Sequence, residues 1–144
     1  MSRRYENNVS IREDFIEINL ENYNEYSTLN DIVAFYFSEI GAMGSPGRFI
    51  VITKDKSVYT FSIFELPDEI IRRLIPVFFE CNLVYSKFKN LPMGWNGVFE
   101  GAGNYVLIND SIFQEYKLMT KGNEDDPFYH YHNWIAIVRG ILAK

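Results

Sequence analysis

His130-Tyr131-His132 holds both histidines of the chain, and Glu124, Asp125 and Asp126 stand just before it. Two histidines at i and i+2 chelate a transition metal when the segment is extended, because alternate side chains of a strand point the same way. Asp126-Pro127 argues for a helix here instead. Aspartate accepts from first-turn amides, and proline fits the first helical position. On a helix, residues two apart lie about 200° apart around the axis, too far round to share an ion. The pattern therefore reads as surface or partly buried histidines. His130 and His132 as metal ligands are the weaker alternative, and no cofactor is expected.

The other reactive types are less suggestive. Cys81 is the only cysteine, so it forms no internal disulfide, and it follows the apolar Val77-Phe78-Phe79. A thiol in that setting is inert. Gly41, Gly44 and Gly47 before Arg48 invite a phosphate-loop reading, but the order is wrong. A phosphate cradle follows a strand and opens a helix, so that helix amides face the anion. These glycines follow a helical pattern and precede a strand-like run, and no Lys-Ser or Lys-Thr pair completes the motif. Gly101-Ala102-Gly103 separates two strand-like runs and reads as turn chemistry.

Carboxylates gather in the first third of the chain: Glu13, Asp14, Glu17, Glu21, Glu25 and Asp31. Paired acids do proton transfer only when geometry brings them together and shifts their pKa values. The plainer reading is a solvated acidic face suited to capturing a basic partner. Trp95 stands between Gly94 and Gly97, where the backbone can pass close to another surface and Trp is a favoured anchor. The alternative there is a strand entry whose ring packs inward. In Phe128-Tyr129-His130-Tyr131 one side faces the core, leaving Tyr129 and His130 at the surface.

These residues need elements to position them. Ile16, Ile18 and Leu20 alternate with Glu17, Asn19 and Glu21, the period of a half-buried strand, while residues 1–14 are polar and read as loosely ordered. Leu29, Ile32, Val33, Tyr36, Phe37 and Ile40 form a helical stripe, with Ser27 or Thr28 as cap and Gly41 as stop. Residues 48–53 and 58–64 predict a hairpin, and so do 95–100 and 104–109. Pro67 opens a second helix that ends or kinks at Pro76, and residues 77–81 form a further turn. Asp110 and Ser111 start a third helix, Gln114 completing a capping box on Ser111, with Ile112, Phe113, Tyr116 and Met119 on its apolar side. The last helix starts at Asp126-Pro127, with Phe128, Tyr131, Ile135, Val138 and Leu142 along one side. The expectation is a single α+β domain over residues 1–144. It holds a mainly antiparallel sheet of about five strands, as two hairpins each followed by a helix, with about four helices packed on it.

Composition narrows the functions. The chain has 144 residues, with 12 Phe, 10 Tyr and 2 Trp, and carries 14 Lys+Arg against 19 Asp+Glu. Such a field repels nucleic acid and anionic membranes and attracts basic proteins. The small basic spots at Arg72-Arg73 and at Lys87 and Lys89 form no phosphate-binding patch. No apolar run is long enough to span a bilayer and the N-terminus lacks the apolar stretch of a secretory signal, so a cytoplasmic protein is expected.

Three functional classes fit. The first is a non-enzymatic protein-binding module, most concretely an acidic immunity or inhibitor protein that neutralises a cognate basic toxin, itself a monomer or weak homodimer. Its candidate contacts are Glu13, Asp14, Glu17, Glu21, Glu25, Trp95, Glu124, Asp125, Tyr129 and His130. The second is a small-molecule binder or enzyme with an aromatic pocket near Trp95, Tyr105 and His130. The third is a structural subunit of a homo-oligomer.

Overall fold

Runs of β-branched and aromatic residues build the framework, because such side chains fit a pleated, half-buried surface. The computed structural model describes residues 4–5, 9–12, 15–19, 24–28, 31–38, 48–62, 94–101 and 104–144. Nine strands lie among them: β1 (Arg4–Tyr5), β2 (Val9–Arg12), β3 (Phe15–Asn19), β4 (Asn24–Thr28), β5 (Ile32–Ser38), β6 (Arg48–Thr53), β7 (Val58–Ser62), β8 (Trp95–Gly101) and β9 (Asn104–Asn109). Two helices follow, α1 (Asp110–Met119) and α2 (Pro127–Leu142).

The main sheet runs β1-β7-β6-β5-β9-β8. Strands β7, β6, β5, β9 and β8 pair antiparallel, and the two-residue β1 joins β7 in parallel. The expected five-stranded antiparallel sheet of an α+β domain is thus present. A separate three-stranded antiparallel sheet, β2-β3-β4, lies outside that expectation. All three of its strands, and β1, lie within the first 28 residues, so Arg4–Tyr5 and Val9–Arg12 are strands within a stretch read as loosely ordered.

The helix expected over residues 27–40 is not found among the described residues. Its start belongs to β4, and its centre is β5, the middle strand of the main sheet. From Ile32 to Tyr36 every side chain is buried, including both those pointing to the helices and those pointing away. A strand buried on both faces shows no polar alternation, and its apolar run matches a helical stripe as well as a strand. With that helix gone, two helices rather than about four are found among the described residues. The helix expected from Pro67, the Gly41 to Gly47 loop and Cys81 lie outside the described residues.

Both expected hairpins form. At the first, Asp55 Oδ1 accepts from the Thr53 hydroxyl at 2.6 Å and from the Ser57 amide at 3.0 Å. Lys56 adopts φ 71°, the left-handed conformation the turn needs. Its carbonyl accepts from Arg139 Nε at 2.9 Å, which ties α2 to the hairpin.

The helices cover one face of the main sheet. Ala34, Tyr36, Ile50, Ile52, Val106 and Ile108 meet Ile112 and Tyr116 of α1 and Trp134, Ile137, Val138 and Ile141 of α2. Trp134 stacks on Tyr36 with centroids 5.5 Å apart. The stripe expected on α2 is rotated: the structure buries His130, Trp134, Ile137, Val138 and Ile141, and leaves Phe128 and Tyr131 exposed. Arg139 is the only Lys, Arg, Asp or Glu on α2, so apolar residues surround the helix and polarity does not fix its phase.

Caps set the helix ends. Asn109 Oδ1 accepts from the Ser111 amide at 3.0 Å, so α1 is capped there and not by a Ser111–Gln114 box. Asp126 caps α2 as expected, accepting from the amides of Phe128 and Tyr129 at 3.0 and 3.2 Å. Asp126→Ala should lower the unfolding free energy by about 1 kcal/mol in urea denaturation, with Asp126→Asn restoring most of it.

Candidate functional site

The most constrained chemistry lies where α1 ends and α2 begins. His130 occupies the first turn of α2 and is 1% exposed. Its Nε2 lies 3.2 Å from the Glu124 carbonyl oxygen, which can only accept, so Nε2 carries the proton. Nδ1 then accepts from the Tyr116 hydroxyl at 2.9 Å. One neutral tautomer satisfies both bonds. Burial pushes His130 below the ordinary imidazole range, against the opposing pull of the Glu124 and Asn123 backbone and of the Asp126 and Glu124 charges. Burial, assisted by Tyr129, raises the Tyr116 hydroxyl above the usual phenol range and keeps it a donor.

A bulge in β8 completes this environment. Trp95 and Phe99 are four residues apart and would share a face in a regular strand. The register shifts between Gly97 and Phe99, so Phe99 pairs with Val106 on the helix side. There its ring stacks on His130 at 4.7 Å. Trp95 stays on the opposite face, 4.6 Å from Phe35 and half-buried. The register puts Tyr105 on that same face, since it pairs with Phe37 while Leu107 pairs with both Phe35 and Gly97. Trp95 and Tyr105 are therefore divided from His130 by the sheet and line no common pocket.

Burial corrects two of the candidate contacts. His130 is internal and unavailable to a partner, and Glu17 on β3 is 7% exposed rather than part of a solvated face. Glu25 lies on β4 opposite Ile18, while Glu13, Asp14 and Glu21 fall outside the described residues. His132 is exposed, stacking with Phe128 at 6.4 Å, so the two histidines point to different environments and do not share an ion. Among the described residues, no group of three His, Cys, Asp or Glu side chains is placed to hold a metal.

What the helix junction exposes is more informative. Leu118 and Phe128 are 68% and 75% exposed, and Met119 and Tyr131 are also open to solvent. Glu124, Asp125 and Asp126, in the segment that joins the two helices, are exposed as well. The half-buried Tyr129 donates its hydroxyl to the Met119 carbonyl at 3.3 Å, closing the end of α1 against the start of α2. The acids also shape the loop: the Gly122 amide donates to Glu124 Oε1 at 3.0 Å and holds that carboxyl below its ordinary pKa.

No family model, curated protein or solved structure matches this chain. The site therefore stands on its own geometry. Among the described residues no helix is long and apolar enough to cross a membrane.

Phe128 and Tyr131 were missed because sequence gives no sign of which apolar residues of the almost uncharged α2 face outward. Tyr116 and His130 are 14 residues apart on different helices, and no local pattern pairs them.

Proposed function

We propose that the protein is a non-catalytic binding module that docks a basic protein, most concretely an immunity-type inhibitor of a cognate toxin. The observation that carries this reading is the juxtaposition at the helix junction. Large apolar side chains are exposed at the end of α1 (Leu118, Met119) and the start of α2 (Phe128, Tyr131), and the segment that joins the two helices carries the exposed Glu124, Asp125 and Asp126. Isolated exposed hydrophobes are common, but a group of them rimmed by charge marks an interaction surface. The net charge of −5 supplies steering toward a cationic surface.

The test is binding to the basic protein encoded beside it, measured by calorimetry over a salt series. Affinity in the nanomolar range that weakens as salt rises is expected. Failure to bind that protein, or a stable homo-oligomer that covers Leu118 and Phe128, would overturn the proposal.

A further inference from the structure

We propose that His130 is a pH-sensitive latch that holds the loop of residues 120–126 against the helix pair and releases it on acidification. This concerns the free protein and stands or falls apart from the binding role above.

The geometry carries it. The imidazole spans three elements: Nε2–H donates to the Glu124 carbonyl of the loop, Nδ1 accepts from Tyr116 of α1, and the ring lies on Phe99 of β8. A second proton turns Nδ1 into a donor facing a donor. The Tyr116 hydroxyl must then rotate and find a new acceptor in a buried site. The resulting cation, sealed from water, favours whatever motion hydrates it.

The loop is the element that can move. Phe99 belongs to the sheet and Tyr116 is wholly buried in the helix-face core, whereas all loop residues except Thr120 and Asn123 are exposed. Its internal bonds are few: Asn123 N–H to the Thr120 carbonyl, Asp126 N–H to the Asn123 carbonyl, and Gly122 N–H to Glu124. Local opening with the core intact is expected for such a segment.

The charged and titratable groups that face His130 are few. From the loop and the start of α2, the charges near His130 are Glu124 and Asp126, which favour its cation. Glu124 itself is held ionised by the Gly122 amide. From α1 the facing group is the Tyr116 hydroxyl; Lys117 lies over the Phe113 ring and Glu115 pairs with Lys144. From β8 the facing side chain is the uncharged Phe99. Tyr129, on α2 itself, meets the imidazole edge-on at 5.7 Å.

The sign follows from the lowered folded pKa. The closed form is fully favoured above the ordinary imidazole value of about 6.5, and is lost as pH falls below it toward the folded value. The experiment is residue-resolved amide exchange on the full chain between about pH 7.5 and pH 5, corrected for intrinsic rates, with the His130 ring followed by NMR. Protection at Gly122, Asn123 and Asp126 should fall about tenfold or more in step with ring protonation, while Ile137 to Ile141 keep theirs. His130→Gln should remove the response, since an amide donates to Glu124 without titrating. Should that variant not fold, Tyr116→Phe provides the second test. Without the phenol donating to Nδ1, the midpoint should move to higher pH. Loop protection that is unchanged when the ring protonates, or equal loss from loop and helix core, would overturn the latch. A response that survives in His130→Gln would do the same.

Discussion

Trp134→Ala should lower the unfolding free energy by about 3–5 kcal/mol, the largest stability loss expected from a single substitution on α2. The side chain is 2% exposed and lies flat on Tyr36, itself buried in the middle strand of the main sheet. Truncation removes the transfer energy of the indole and leaves a cavity that two rigid neighbours, a helix and a central strand, cannot close. A domain of this size has only about 5–15 kcal/mol of total stability, so the variant sits near the limit of folding. Trp134→Phe keeps a ring on Tyr36 and should retain part of the loss, which makes the pair measurable by urea denaturation. A drop below about 1 kcal/mol for the alanine variant would show that α2 is not docked through this stack.

The same stack shows what the sequence does and does not disclose. Both hairpins were legible because their punctuation is local: Lys54-Asp55-Lys56-Ser57 and Gly101-Ala102-Gly103 separate β-rich runs. The start of α2 was legible for the same reason, in Asp126-Pro127. The register of Ile32 to Tyr36 was not, because burial on both faces erases the alternation that identifies a strand. The phase of α2 was hidden by its near absence of charge. His130 is the sharpest case. Its local sequence placed it at the surface, and a bulge two strands away in sheet order from Tyr36 supplies the Phe99 ring that seals it. Long-range packing of this kind has no signature within a few residues of the histidine.

Phe128→Ala separates binding from folding. The ring is 75% exposed and makes its described contact with the equally accessible His132, so truncation should change stability by no more than about 0.5 kcal/mol. If the helix junction docks the basic partner, Phe128 is its most exposed large apolar side chain and the natural anchor. Loss of an anchor of that kind costs about 2 kcal/mol or more, a weakening of about 30-fold. The effect should appear in the dissociation rate, because the ring acts after encounter. Asp125→Lys acts at the opposite stage. Reversing an exposed rim charge should slow association and flatten its salt dependence, while dissociation changes little. Stopped-flow association and dissociation rates for the two variants therefore report on separate halves of the surface. Unchanged rates in both, with folding intact, would remove the helix junction as the docking site. Loss in Phe128→Ala alone would leave an apolar contact without electrostatic capture, and the partner would need no basic face.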